Sequence, residues 1–162
     1  MELFSFNAEI CIRTYNYRLT DIQSALGISQ LKKLNNFIKR RGEIAKIYNA
    51  GFKNIKNIKT PIVQKNIQHA YHLYPLRIDF KKLKINKDQL IKKLRKKGIN
   101  LQVHYIPIYN HHLYRTLNKN KFPNTQKFFS EAVSLPIYYL LKDKEIKLII
   151  KKIKKILILY SK

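Results

Sequence analysis

At 162 residues the chain is the size of one ordinary domain or of half a larger enzyme, and its 45% hydrophobic content is that of a globular protein, which excludes disorder as the main description. Thirty-four Lys and Arg face nine Asp and Glu, a formal net charge of +25, while the single cysteine, Cys11, excludes an intrachain disulfide and a Cys-rich zinc site. Four glycines, Gly27, Gly42, Gly51 and Gly98, are too few and too scattered for a GxGxxG turn or a P-loop.

In chain order, residues 1–19 read as irregular, with Glu2 and Glu9 where a secretory leader would carry positive charge, so the expected compartment is the reducing cytoplasm. Thr20-Asp21 is a helix start: the hydroxyl caps an orphan N–H and the acid suits the positive helix end. From Ile22 through Ala25, Leu26, Leu31, Leu34, Ile38, Ala45, Tyr48 and Phe52, apolar residues recur at three- and four-residue spacing. This predicts one helix over 20–52 with Gly27 as the point where it could adjust, roughly 45 Å long at about 1.5 Å per residue, a length suited to running between layers or along an interface.

A polar connection with Pro61 leads to a predicted strand over 72–79, in which Pro75 points to an edge position or a bulge. Asn86 should cap a helix over 88–97 that Gly98 stops at C′. A second strand over 99–106 should end at Pro107, followed by a short helix over 110–117 and another over 125–133. Residues 134–136 read as extended, and a closing helix over residues 143–159 sets isoleucines on one face and lysines on the other. The pattern predicts one small α/β domain with an open sheet. No run of about 18 uncharged apolar residues is present, so no segment reads as a membrane-spanning helix.

The charge invites a nucleic-acid reading, since each neutralised phosphate releases a counterion. Yet the lysine pairs at 81–82, 92–93, 96–97, 151–152 and 154–155 are spread over every element, as AT-rich codon drift would spread them. A basic amphipathic closing helix could lie on an anionic membrane, but covering its own sheet is the commoner use of such a pattern. His111-His112 point apart on a helix, and His69 and His72 would face opposite sides of a strand, so neither pair suits a metal. Alternation places Gln102, His104 and Ile106 on one face of the second strand and Val103 and Tyr105 on the other, with His104 open to reading as a ligand contact or a satisfied surface histidine. Asn16 and Arg18, just before a helix start, offer amide and guanidinium donors suited to phosphate.

The run from Tyr15 through Asn16, Tyr17, Arg18, Leu19, Thr20 and Asp21 to Gly27 resembles a segment of the DegT/DnrJ/EryC1/StrS sugar-nucleotide aminotransferases, fold-type I pyridoxal-phosphate enzymes. The similarity continues through residues 30–34 and 40–45, and resumes at 72–75, 98–99, 103–107, 122–123 and 134–136. Residues 102–109 resemble the branch that makes UDP-4-amino-4,6-dideoxy-N-acetyl-β-L-altrosamine for pseudaminic acid synthesis.

The resemblance implies the C-terminal small domain of such an enzyme: an arm over 1–18, then a long helix and a small, mostly antiparallel sheet with helices on one side. It also implies that the cofactor-linking lysine belongs to a large domain upstream, so no lysine of this chain takes that role and no catalytic residue is assigned. Asn16 and Arg18 would reach the phosphate of pyridoxal 5′-phosphate across a dimer interface, and Gln102, Val103, His104 and Tyr105 would line the sugar-nucleotide pocket. The implied substrates are a UDP-linked 4-keto-deoxysugar and glutamate, and the implied partner is a second copy or a separate large-domain half. The chain would be a split, truncated or internally started version, inactive alone; a basic nucleic-acid-binding domain and a remnant without activity stand as the alternatives.

Overall fold

The computed structural model describes residues 17–114 and 116–162. Two compact units meet in sequence between Leu34 and Asn35.

The first unit contains α1 (Asp21–Leu31). Its start is a reciprocal capping box: the Gln23 N–H donates to Thr20 Oγ1 at 3.3 Å, and the Thr20 N–H donates to Gln23 Oε1 at 3.0 Å. The expected single helix is corrected here, because Lys32 and Lys33 form a turn and α2 (Leu34–Phe52) starts anew. Both lysines are good helix formers, so propensity does not cause the break.

The second unit is built on a three-stranded antiparallel sheet of β1 (Ile58–Lys59), β2 (Tyr74–Ile78) and β3 (Ala132–Leu135), in the order β1-β2-β3. Tyr74, Leu76 and Ile78 turn one face of β2 into the core, where they share one apolar cluster with Ile44, Tyr48 and Phe52 of α2. Leu90 and Leu94 of α3 (Lys87–Arg95) join that cluster. So does the isoleucine face of α5 (Asp143–Leu159), from Ile146 to Ile156, which makes α5 a cover for its own sheet. On the other face, Arg77 forks onto Glu131 of α4 (Pro123–Glu131), with Nε at 2.9 Å and Nη2 at 2.6 Å from Oε2.

Pro75 stands in the central strand, not at an edge, and the register explains it. Pro75 lies opposite Ser134, whose N–H and C=O both turn away to Gln102, so the proline nitrogen faces the β1 side. There β1 reaches only as far as Lys59 opposite Arg77, and no ladder bond is lost.

The second expected strand, 99–106, is reduced to a single bridge between Gln102 and Ser134. Extension is blocked on both sides: Pro136 has no N–H to give, and the Ala132 N–H already donates to Phe128 O at the end of α4. Where a helix is expected over 110–117, the described residues form 3-10 turns at Ile108–Asn110 and His112–Tyr114. The helix expected over 125–133 starts at Pro123 and gives way at Ala132 to β3. Asn86 and Gln89 form a capping box on α3, and Gly98, at φ +75°, closes it with the Ile99 N–H on Leu94 O at 3.0 Å.

Candidate functional site

The bridge to β3 organises the site. The Gln102 N–H donates to Ser134 O at 3.1 Å and the Ser134 N–H to Gln102 O at 2.8 Å, which pins the 102–104 segment against the sheet. Two residues on, the His104 imidazole returns to the same serine, with Nδ1 3.0 Å from Ser134 Oγ. Of the three residues that alternation set on one face, Gln102 and His104 line a cavity of about 690 Å³, while Ile106 is exposed and does not. Val103 is half-buried and does not line it. Tyr105 is exposed, its ring edge-on to His104 with centroids 4.8 Å apart.

The cavity wall also contains Arg41, Lys97 and Lys152 against one carboxylate, Glu145. Arg41 Nη1 donates to the carbonyls of Tyr71 (2.9 Å) and His72 (3.0 Å), so this guanidinium is held by backbone and pairs with no acid among the described residues. Its Nε and Nη2 make no hydrogen bond among the described residues, which leaves donors for an anionic ligand. Lys152 is anchored by donating to Lys97 O at 2.8 Å, while Glu145 accepts from the Lys142 N–H at 2.8 Å as a helix cap. Behind the lining residue Pro136, Tyr48 donates to Pro136 O at 2.9 Å, and its core neighbour Tyr74 donates to Asn49 Oδ1 at 2.6 Å. Burial pushes both phenols well above their ordinary range, so both stay neutral donors. Cations beside the polar side chains of Gln102 and His104 suit a ligand that pairs phosphate with a hydroxylated ring.

Arg18 is exposed two residues before the N-cap Thr20 of α1. Asn16, its expected companion, lies outside the described residues. The Thr20 and Gln23 N–H groups are engaged in the capping box. Among the described residues, no three His, Cys, Asp or Glu side chains group as metal ligands would, and no helix is long and apolar enough to cross a membrane.

Arg41 and Ser134 were not assigned a role from sequence. Both lie in segments that carry the family resemblance, but each acts on residues about thirty positions away, and that register is visible only in the fold.

The sheet and its helices form part of an aminotransferase fold. The chain belongs to the DegT/DnrJ/EryC1/StrS aminotransferase family, whose profile matches residues 5–154. It is 43% identical over 155 residues to the Methanocaldococcus jannaschii protein MJ1066, a match that covers 94% of this chain and 40% of that one. It is 35% identical to a UDP-4-amino-4,6-dideoxy-N-acetyl-beta-L-altrosamine transaminase of Campylobacter jejuni, covering 83% of this chain and 36% of the relative. Among solved structures, Helicobacter pylori PseC, an aminotransferase of pseudoaminic acid biosynthesis, superposes with a TM-score of 0.81 at 32% identity, covering 99% of this chain and 43% of PseC. The chain thus spans about 40% of the length of the curated relatives it matches.

Proposed function

We propose that this chain is the sugar-facing, C-terminal part of a pyridoxal-phosphate aminotransferase that aminates a 4-keto nucleotide sugar with glutamate as donor, in the synthesis of a surface polysaccharide or flagellin glycan. The observation that carries the reading is the cavity in which Arg41, Gln102 and His104 converge, cation beside neutral donors, on a small-domain fold. In this reading Arg41 holds the ligand's phosphates, while Gln102 and His104 orient the sugar, with Val103 and Tyr105 packing the segment that presents them. Residues 1–18 form an arm, in which Asn16 and Arg18 hold the cofactor phosphate of a neighbouring subunit in a cytoplasmic dimer. When bound, the cofactor supplies the electron sink through which the amino group moves, and the protein supplies orientation. The lysine that carries the cofactor belongs to a large-domain part, so the 162-residue chain should bind a nucleotide sugar weakly and turn none over.

Two measurements test this. UDP-N-acetylglucosamine titrated into the 15N-labelled chain should shift the signals of Arg41, Gln102 and His104, and Arg41→Ala should weaken binding about tenfold, the loss of one charge-assisted contact. Incubation with pyridoxal phosphate, glutamate and a UDP-4-keto sugar should give no amino sugar unless a separately produced large domain of a relative is added. Amino sugar formed by the chain alone, or shifts confined to other surfaces, would refute the reading.

A further inference from the structure

We propose that Ser134 is a positioning residue that sets the proton of His104 on Nε2 and so makes this imidazole a hydrogen-bond donor to the ligand. The inference rests on the reading of the cavity as a nucleotide-sugar site and adds which chemical groups His104 accepts there.

Tyrosines apart, Ser134 is the buried polar side chain among the described residues, with 6% of its surface exposed. Its backbone N–H and C=O are both consumed by Gln102, so the hydroxyl is its last unpaired group. That hydroxyl has one partner among the described residues, His104 Nδ1 at 3.0 Å. Its position is overdetermined, because β3 is paired with β2 on one side, Pro75 opposite Ser134, and with Gln102 on the other.

A hydroxyl carries one proton to give, and a neutral imidazole has one nitrogen that gives and one that accepts. If Nδ1 held the ring proton, it would donate to Ser134 Oγ, and the serine O–H would then have no acceptor among the described residues. The arrangement that satisfies both groups has Ser134 O–H donating to Nδ1, with the ring proton on Nε2. Nε2–H then meets acceptor oxygens: the carbonyl or hydroxyl of a sugar, or a phosphate oxygen. It does not accept from an ammonium group. The imidazole therefore favours a keto or hydroxyl group at its contact point over the ammonium that replaces it, and Ser134, whose residue also borders the cavity, carries that preference through the ring.

Long-range 1H–15N correlation spectra of the 162-residue chain, recorded at about pH 8.5 where an ordinary imidazole is neutral, test the assignment directly. His104 should show the pure Nε2-protonated pattern in the unsubstituted chain and in Ser134→Thr, which keeps the hydroxyl. In Ser134→Ala the pattern should average toward a mixture of tautomers, and UDP-N-acetylglucosamine should bind about tenfold more weakly. Should Ser134→Ala fail to fold, the spectra of the other two proteins decide. A ring protonated on Nδ1, or an alanine variant with an unchanged pattern, would overturn the inference. A fixed Nε2 proton in a chain that does not bind the UDP sugar would support the Ser134 assignment and remove the nucleotide-sugar reading instead.

Discussion

Tyr48 and Tyr74 show how single side chains set the pH range of this fold. Both are fully buried, with ring centroids 4.9 Å apart, and each hydroxyl donates one hydrogen bond. Burial raises the ionisation of both, because a phenolate there would lose its water; Tyr74 and Tyr138 add to the effect at Tyr48, and Tyr71 at Tyr74. The sign follows from proton counting. Below about pH 10, the ordinary tyrosine value, both phenols are protonated whether the chain is folded or not, and they give no pH dependence. Above it the unfolded chain releases these protons while the folded chain keeps them, so stability falls as pH rises. Tyr74→Phe should cost about 1 kcal/mol at neutral pH, because it leaves Asn49 Oδ1 without its donor. It should also flatten the decline between pH 10 and 12. Urea midpoints for both proteins across that range give the slopes; equal slopes would mean that the ionisation of Tyr74 is not coupled to folding.

At the scale of elements, what the sequence made legible was what is local. The ends of α3 follow from Asn86 and Gly98, and α5 spans Asp143–Leu159 as its isoleucine periodicity requires. The pairing of Gln102 with His104 was legible in the same way, from a period of two. What depended on register was hidden. The loss of a second long strand follows from Pro136 and from the Ala132 N–H spent on α4, neither of which lies within 99–106. Arg41 could be seen as a charge in a helix, but not as a guanidinium held over a cavity by carbonyls at positions 71 and 72.

The α2–α5 contact is hidden in the same sense. Gly51 reads as a helix weakness, yet an added Cβ would come within 2.5 Å of Ile150 Cδ1 and 3.0 Å of its Cγ2. A glycine replaced inside a helix ordinarily gains about 0.5–1 kcal/mol. Here Gly51→Val should instead lose about 1–3 kcal/mol, because overpacking exceeds that gain. Thermal unfolding should show the loss, and Gly51→Val combined with Ile150→Ala should cost less than the sum of the two single changes. Additive costs would mean that the two helices do not meet at this point.

For the molecule as a whole, two surface properties oppose each other. α1 buries none of its residues, and Ile22, Leu26 and Leu31 stand 83%, 60% and 67% exposed. In the proposed reading a large domain covers this face; without one it should drive the chain to associate. The formal charge of +25 resists that association by mutual repulsion, which salt weakens as the Debye length falls to about 10 Å at 0.1 M and below that at higher salt. Sedimentation should therefore find a monomer at about 20 mM salt and larger species at about 300 mM, a range over which this screening strengthens. Ile22→Ser with Leu26→Ser should abolish the increase. A nucleic-acid-binding role for the same charge carries the opposite sign, because counterion release makes such binding weaken as salt rises. The direction of the salt effect thus separates an apolar face in need of its large domain from a basic surface in need of phosphate. Tight binding of an RNA oligomer that survives at low salt and is lost at high salt, in a chain that stays monomeric throughout, would favour the second.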